Sequence, residues 1–246
     1  MDHSNRILMV DILTFARLKL GWNPDPKQAE VLATLAPRVI LNCGRQWGKT
    51  TLAATKVVHL AVTRPGWTIL IFSENLGQTA EFFRIADQFL ARLWIPTVSE
   101  AQKAIGRRLP NGSRIIGIAS REQAVRGYTA NFVFIDEAAR IEDEVIDAVE
   151  PALGVRNGDC WMASTPRGKR GRFWEAWEYG EDSECLKVSV PWTQNPRIRP
   201  EFIEKLRRTK GDAFVRQEFE CEFVENGRNL VSLEEVDELP LERVRR

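Results

Sequence analysis

Short apolar runs alternate with longer segments of helical periodicity along most of the 246-residue chain. We predict strands at the apolar runs, which are Arg38–Cys43, Trp67–Ser73, Arg114–Ala119, Phe132–Asp136, Cys160–Ser164 and Leu186–Val190. Helical spacing predicts helices at Ile7–Leu20, Pro26–Leu35, Lys49–Val62, Leu76–Leu93, Glu142–Leu153 and Pro200–Phe223. Consecutive apolar positions are typical of strands buried on both faces, with helices covering a parallel sheet. The pattern therefore predicts an α/β fold with a mostly parallel central sheet flanked by helices.

The pattern changes toward the C-terminus, which predicts three parts of unequal size. We expect a core at residues 1–190, including an N-terminal helical segment at 1–37, and a small helical lid subdomain at 191–225. Asn226-Gly227 breaks the helical pattern, and residues 226–246 are first acidic and then basic with little core material. We interpret this last stretch as a linker.

Composition narrows the classes of function without choosing one. The chain is 43% hydrophobic and 28% charged, as in ordinary globular proteins, and its net charge of +1 predicts no bulk attraction to nucleic acid. Four cysteines without a C-x-x-C pair and only two histidines argue against a zinc site or a histidine-based triad. No apolar run approaches the roughly 20 residues that span a bilayer, and the N-terminus lacks a signal-peptide core. We therefore expect no membrane partner and a cytoplasmic location.

The strongest local signal is a strand that enters a Gly48-Lys49-Thr50 turn and continues as a helix, the context that a phosphate-binding loop requires. Lys49 is expected to reach the β- and γ-phosphates, and the Thr50 hydroxyl to bind Mg²⁺. The expected nucleotide-binding residues are Gly44, Arg45, Gln46, Trp47, Gly48, Lys49, Thr50 and Thr51. The loop departs from the usual G-x-x-x-x-G-K-[ST] spacing, because Cys43 occupies the first position. An ordinary strand–turn–helix corner is the alternative, and for Arg45 a solvated loop position is the alternative to a γ-phosphate contact.

A second apolar strand ends in two adjacent acids, Asp136 and Glu137. We assign Asp136 to the Mg²⁺ ligand shell and Glu137 to orienting or deprotonating the attacking water. The alternative is a helix start with acids near the positive end of its dipole. Together the loop and the acidic strand predict hydrolysis of a nucleoside triphosphate rather than binding alone.

Five ordered motifs resemble those of the large terminase subunits of tailed bacteriophages, the motors that package DNA into proheads. The motifs are Trp22–Gln28, Gly44–Thr50, Phe134–Ala139, Ser164-Thr165-Pro166 with Gly168, and Gln217–Phe223. Each motif is weak alone, but their order is specific, and the resemblance covers roughly residues 20 to 225. It implies a P-loop NTPase of the ASCE type, the class with an additional catalytic glutamate.

The resemblance also implies roles for residues outside the phosphate loop. Gln28 would recognise adenine, with a polar position on a helix face as the alternative. Ser164 and Thr165 would couple hydrolysis to motion from a strand between those of the loop and Asp136, with a simple strand-end turn as the alternative. Arg126 would be an arginine finger supplied by a neighbouring subunit, with Arg121, Arg45 or a simple solvated loop as the alternatives. The implied partners are a homo-oligomeric, pentameric ring around double-stranded DNA, the phage portal and the small terminase subunit, in the host cytoplasm.

Members of this family carry a C-terminal nuclease domain, and 246 residues leave no room for one, so we expect ATP hydrolysis without DNA cleavage from this chain. For sequence-independent, salt-sensitive DNA contact, the favoured basic cluster is Arg167, Lys169, Arg170 and Arg172. A solvated basic loop is the alternative. Other candidates are Arg107-Arg108 with Arg114, and Arg121 with Arg126.

Three other functions share parts of this pattern. A helicase-like DNA translocase is the nearest alternative, although it usually needs a second tandem core. A nucleotide or small-molecule kinase would use the same loop but would not need Glu137 to activate water. A non-catalytic module that binds ATP only to change partners would not need Glu137 either.

Overall fold

The computed structural model describes residues 10–99, 105–119, 127–180 and 184–225, which form an eight-stranded sheet with helices on both faces. The strands are β1 (Arg38–Cys43), β2 (Thr68–Ser73), β3 (Val98–Ser99), β4 (Ile105–Arg108), β5 (Arg114–Ala119), β6 (Phe132–Asp136), β7 (Asp159–Ser164) and β8 (Cys185–Val190). The helices are α1 (Ile12–Thr14, continued by a π-helical turn at Phe15–Lys19), α2 (Pro26–Ala33), α3 (Lys49–Thr63), α4 (Leu76–Arg92), α5 (Asp143–Asp147), α6 (Val149–Gly154), α7 (Gly171–Tyr179), α8 (Pro200–Lys210) and α9 (Asp212–Phe219). Within these ranges, every helix is too short or too polar to cross a membrane.

The strand order is β3-β4-β5-β2-β6-β7-β1-β8, and all pairs from β5 to β8 are parallel. The predicted α/β fold with a mostly parallel sheet is therefore confirmed. Strand β7 lies between β1 and β6, as predicted, with Asn42 in register with Ser164 and Asp136 in register with Ala163. Because parallel strands end at one edge, the loop after β1 and the polar ends of β6 and β7 meet there.

Buried side chains on the two faces of the sheet explain why the strands are apolar throughout. Along β1, Val39 and Leu41 join a core cluster that includes α3 and α4, whereas Ile40 joins the cluster beneath α6 and α7. Each strand position thus removes an apolar side chain from water on one face or the other.

The edge formed by β3 and β4 differs from the prediction, because both strands are antiparallel and neither was expected. Strand β3 has only two residues, both exposed, so it carries no apolar signal. The helical pattern at Pro200–Phe223 is also two helices instead of one, because Gly211 turns the chain with a φ of +91°.

Helices α8 and α9 close a small apolar cluster around Ile203, Val215 and Phe219, separate from the two large ones. This cluster lies within the stretch 191–225 expected to form a lid. The domain boundaries themselves stay predictions, and the expected linker at 226–246 lies outside the described residues.

Candidate active site

The loop at residues 44–48 connects β1 to α3 and leaves the N-terminus of α3 without a side-chain cap. Gln46 and Gly48 have φ values of +63° and +93°, and no side chain caps α3 at Gly48. The first N–H groups of this 15-residue helix therefore have no side-chain acceptor at the cap. Free N–H groups and the helix dipole favour an anion at this position.

The start of the loop is attached to the C-terminal part of the chain. The Gly44 N–H donates to the Val190 carbonyl at 2.9 Å, and the Arg45 N–H donates to the Glu218 carbonyl at 2.8 Å. A Cβ on Gly44 would lie 2.9 Å from the carbonyl oxygen of Phe219, so only glycine allows this approach. These two N–H groups are engaged within the chain, and their predicted contacts with phosphate stay predictions.

An ion pair joins the loop lysine to the acidic strand. Lys49 Nζ lies 2.8 Å from Glu137 Oε1, and the lysine is only 9% exposed. Burial opposes the charged lysine, but Glu137 and Asp136 outweigh it and raise the Lys49 pKa. Burial likewise acts to raise the pKa of Glu137, but the positive charges of Lys49, Arg140 and Arg45 lower it overall. Glu137 is therefore a carboxylate at neutral pH, as a proton acceptor must be.

Two oxygen ligands suitable for a divalent cation meet beside this pair. The Thr50 side chain lies beside the Asp136 carboxylate. Asp136 is 5% exposed, and its carboxylate accepts the Glu137 N–H at 3.1 Å. Burial raises the pKa of Asp136 to about 6, although Lys49 acts to lower it. In the described parts of the chain, no group of three or more His, Cys, Asp or Glu side chains could hold a metal on its own. The pair fits Mg²⁺, which takes few protein oxygens and keeps phosphate and water oxygens as its other ligands.

Two side chains that the sequence reasoning missed extend the charged site toward α9. Glu218, 4% exposed, forms an ion pair with Arg45, and its other oxygen lies 3.7 Å from Arg140 Nη2. Arg140 Nε in turn lies 3.6 Å from Glu137 Oε2. Arg45 thus contacts a carboxylate of α9, and its predicted contact with a γ-phosphate stays a prediction. The available signal for Glu218 was its place in the closing motif Gln217–Phe223.

Gln28 connects the N-terminal helix to the loop. Its amide donates to the Trp47 carbonyl at 2.7 Å and accepts the Asp25 N–H at 2.9 Å. Arg197, which the sequence reasoning missed, donates to the same Trp47 carbonyl and lies 3.2 Å from Asp25. Adenine recognition by Gln28 stays a prediction, and it requires an amide that is already engaged on both sides.

One further hydrogen bond holds the loop, and a cavity lies beside the start of α3. Asn195 donates to the Gln46 carbonyl at 3.2 Å, so the C-terminal segment holds this part of the loop as well. Thr51 and Trp22 line one cavity of about 250 Å³, so the start of α3 and the predicted adenine motif meet at one open surface.

The predicted coupling residues lie at the end of β7, next to the catalytic candidate. The Ser164 hydroxyl donates to the Thr165 carbonyl at 2.7 Å, accepts the Ala139 N–H at 3.2 Å and lies 3.4 Å from Glu137 Oε2. The buried Thr165 hydroxyl has no hydrogen-bond partner among the described residues. The structure thus places Ser164 within reach of Glu137, and the coupling role stays a prediction.

The other predicted residues are the arginine-finger candidates and the basic cluster expected to contact DNA. Arg126 and its rival Arg121 lie outside the described residues. Arg167 and Arg170 are exposed, and Lys169 lies 3.7 Å from Glu225. Arg172 is exposed and also pairs with carboxylates, and its contact with DNA stays a prediction. It binds Asp147 through two contacts of 2.7 and 2.9 Å and Glu175 at 2.8 Å, because α5 and its own helix present carboxylates to it.

Among the other basic candidates, Arg107 also meets a carboxylate, since it contacts Asp87 at 2.9 and 2.7 Å.

Comparisons with known proteins agree with this architecture. A family model described as the N-terminal part of the terminase large subunit, T4likevirus-type, matches residues 40–237. The curated large terminase subunit of Thermus virus P23-45 is 30% identical over 267 residues, covering 91% of this chain and 54% of that protein. The solved ATPase domain of the Thermus phage P74-26 large terminase is 25% identical with a TM-score of 0.73, covering 85% of this chain and 97% of that domain.

A large terminase of a thermophilic bacteriophage, solved in complex with ADP, has the same fold with a TM-score of 0.64 at 14% identity. The match covers 87% of this chain and 52% of that protein. The chain spans about half the length of the curated relatives it matches.

Proposed function

This chain belongs to the large terminase subunit family, and we propose that it is an ATPase that drives double-stranded DNA into a viral prohead. The observation that carries the proposal is the meeting of Lys49, Thr50, Asp136 and Glu137 at one sheet edge, beside an open helix N-terminus. These are the groups that gather phosphates, hold a metal and activate water in phosphoryl transfer.

The ion pair between Lys49 and Glu137 suggests how nucleotide binding prepares the site. The β- and γ-phosphates compete with Glu137 for Lys49, whose ammonium lies 2.8 Å from the carboxylate. When Lys49 turns to the phosphates, Glu137 Oε1 becomes available to a water molecule. Glu137 accepts a proton as the water oxygen bonds to the γ-phosphorus and the bond to ADP breaks. Thr50 and Asp136 would hold Mg²⁺, which would supply positive charge to neutralise the phosphate oxygens.

The contacts of the loop with residues 190–220 support coupling to the lid. Gly44, Arg45 and Gln46 contact Val190, Glu218 and Asn195, so a phosphate that moves the loop acts directly on that segment. Ser164 connects the end of β7 to Glu137 at 3.4 Å, which supports a second route through the sheet.

The expected partners are those that membership of the family implies. We propose that the chain works in a homo-oligomeric ring, pentameric when assembled on the portal, with the small subunit, in the host cytoplasm. Arg126 of a neighbour would complete each site, and the 246 residues would hydrolyse ATP without cutting DNA. Turnover per chain should then rise with protein concentration, and plasmid should stay intact in the same reactions. Turnover that is flat at every concentration would contradict completion of the site by a neighbour.

The test of hydrolysis is phosphate release by the purified chain with ATP, in Mg²⁺ and in excess EDTA. We expect turnover in Mg²⁺ that EDTA and Lys49→Ala both abolish. The matched control is Glu144→Gln, which neutralises an exposed carboxylate on α5 and should behave as the parent. Turnover that persists in Lys49→Ala would show that another site or a contaminant hydrolyses the ATP.

The test of DNA contact uses the basic loop after β7. Arg167 and Arg170 are exposed, so replacing both with Ala should lower DNA stimulation of turnover and reduce the salt slope by about 2. Arg172→Ala is the comparison within the same cluster, and it should change the slope less, because its exposed guanidinium already pairs with Asp147 and Glu175. An unchanged slope in the double variant would remove this loop from the DNA path.

A further inference from the structure

Arg140 lies between the catalytic candidate and the lid. Its Nε is 3.6 Å from Glu137 Oε2, and its Nη2 is 3.7 Å from Glu218 Oε1. These distances are ion-pair distances, too long for hydrogen bonds. The Arg140 side chain is 22% exposed and that of Glu218 is 6% exposed, so solvent screens this arrangement less than it would at the surface.

The backbone fixes the position of Arg140 relative to Glu137. Glu137 directly follows β6 in the left-handed region with a φ of +52°, and a 3₁₀ turn follows at Ala138–Arg140. The Arg140 N–H donates to the Glu137 carbonyl at 2.8 Å, and Ala138 is buried in the core beneath α6 and α7. Arg140 is therefore held on the same rigid turn as the carboxylate it faces.

In the proposed reaction, nucleotide binding would change which cations lie beside Glu137. Lys49, Arg140 and Arg45 act on the Glu137 carboxylate, and of these three described cations only Lys49 hydrogen-bonds to it. Lys49 is also the side chain that phosphates would withdraw, and Arg45 is paired with Glu218. Arg140 is then the cation left beside Glu137 Oε2, and an arginine keeps its charge at any working pH.

We infer that Arg140 is a positioning residue, which holds the Glu137 carboxylate toward the attacking water once Lys49 has turned to the phosphates. The inference rests on the proposed ATPase activity. Glu218 belongs to α9 and faces the other side of the Arg140 guanidinium. A shift of α9 would therefore also shift Arg140 and the Glu137 carboxylate beside it. Displacing a catalytic group by about 1 Å can lower a rate about 100-fold.

The experiment compares Arg140→Gln and Arg140→Lys with the parent chain in steady-state turnover and in binding of a fluorescent ADP analogue. We expect Arg140→Gln to lower kcat about 10- to 100-fold. The KM for ATP and the Kd for the analogue should both stay within about twofold, because the inferred role of Arg140 is to hold Glu137, not to bind the nucleotide. Arg140→Lys keeps a positive charge and should recover part of kcat. If Arg140→Gln does not fold, Arg140→Met, which keeps the apolar stem, takes its place.

Arg216→Gln is the matched control. Arg216 is an exposed arginine of α9 that pairs with Glu222 at 2.6 Å, so its loss removes an ion pair without touching Glu137. Parent-like kcat in Arg140→Gln would overturn the inference, and so would a loss that Arg140→Lys does not relieve. In both cases parent turnover abolished by Glu137→Gln would leave the ATPase proposal standing. Absence of turnover in the parent would instead defeat the ATPase proposal and the inference with it.

Discussion

Replacing Gly48 with alanine tests the junction between the phosphate loop and α2. Gly48 has a φ of +93°, where an L-residue is strained by about 1–2 kcal/mol. An added Cβ would also lie 3.0 Å from Gln28 Nε2, closer than nearly all real Cβ contacts. Gln28 is 1% exposed and donates to the Trp47 carbonyl at 2.7 Å, so its amide cannot yield without weakening that hydrogen bond. A hydrogen bond of this kind contributes about 1 kcal/mol.

The chain contains a control with the strain but without the contact. Gly66 has a φ of +75°, and no atom lies within 4 Å of its added Cβ. Gly66→Ala should therefore lower the free energy of unfolding by about 1–2 kcal/mol. Gly48→Ala should lower it by about 2–3 kcal/mol, the same strain plus about 1 kcal/mol for the hydrogen bond.

Urea unfolding followed by tryptophan fluorescence measures both variants, each in the parent and in a Gln28→Ala background. The excess cost of Gly48→Ala should vanish without the Gln28 amide, since the double-mutant cycle isolates that contact. Equal losses in the free energy of unfolding for Gly48→Ala and Gly66→Ala in the parent would show that the close contact with Gln28 costs nothing. An excess that survives in Gln28→Ala would place its cause elsewhere in the loop.

Three further predictions use other parts of the structure. Burial lowers the pKa of Lys56 to about 8 from 10.5, so the unfolded chain binds the extra proton between these values and stability rises with pH there. Lys56→Met should add up to about 3 kcal/mol near pH 7, less whatever the contact with Trp161 at 4.7 Å contributes, and denaturation at several pH values should show this gain vanishing toward pH 10.5. Thr165→Val should change the free energy of unfolding by less than about 1 kcal/mol, because its buried hydroxyl has no partner in the described structure, but it should lower ATP turnover if that hydroxyl serves coupling. Gly117→Ala should cost about 1–3 kcal/mol in urea unfolding, since its Cβ would lie 2.4 Å from Thr79 and 2.7 Å from Phe83.

The parallel part of the sheet was predictable because its strands are buried on both faces. Leu41 and Ile40 of β1 enter different cores, so the run shows no alternation and differs from every helical segment. Strand β3 could not be found in this way, because both of its residues are exposed. Strand β4 reads Ile-Gly-Arg-Arg and is held at the edge by pairing with β5. Backbone pairing at a sheet edge does not require a periodic pattern of apolar residues, so the sequence does not reveal it.

In the candidate site, residues that belong to a local motif could be proposed from the sequence, whereas the distant partners that the fold brings to them could not. Lys49 and Asp136 each follow an apolar strand at a spacing that phosphate and metal chemistry require. Glu218 meets Arg45 across 173 positions of sequence, and Arg197 meets Trp47 across 150. Such contacts depend on how α8 and α9 pack against the loop, which no local pattern encodes.

The ion pairs between basic candidate residues and carboxylates could likewise not be predicted from the sequence. Arg172 belongs to a run that reads as a DNA-binding loop, and the fold brings Asp147 and Glu175 to its guanidinium. A charge run shows how many cations are present, but only the fold shows which of them pair with carboxylates.

The role of Glu137 in hydrolysis is tested most directly by single-turnover chemistry with ATP labelled at the γ-phosphate, comparing the parent chain with Glu137→Gln. We expect both chains to bind ATP with Mg²⁺, the parent to release labelled phosphate, and Glu137→Gln to retain intact ATP. The glutamine preserves the shape of the side chain but cannot accept the proton from water. Phosphate release by Glu137→Gln at the rate of the parent would contradict the assignment of this site as the one that hydrolyses ATP.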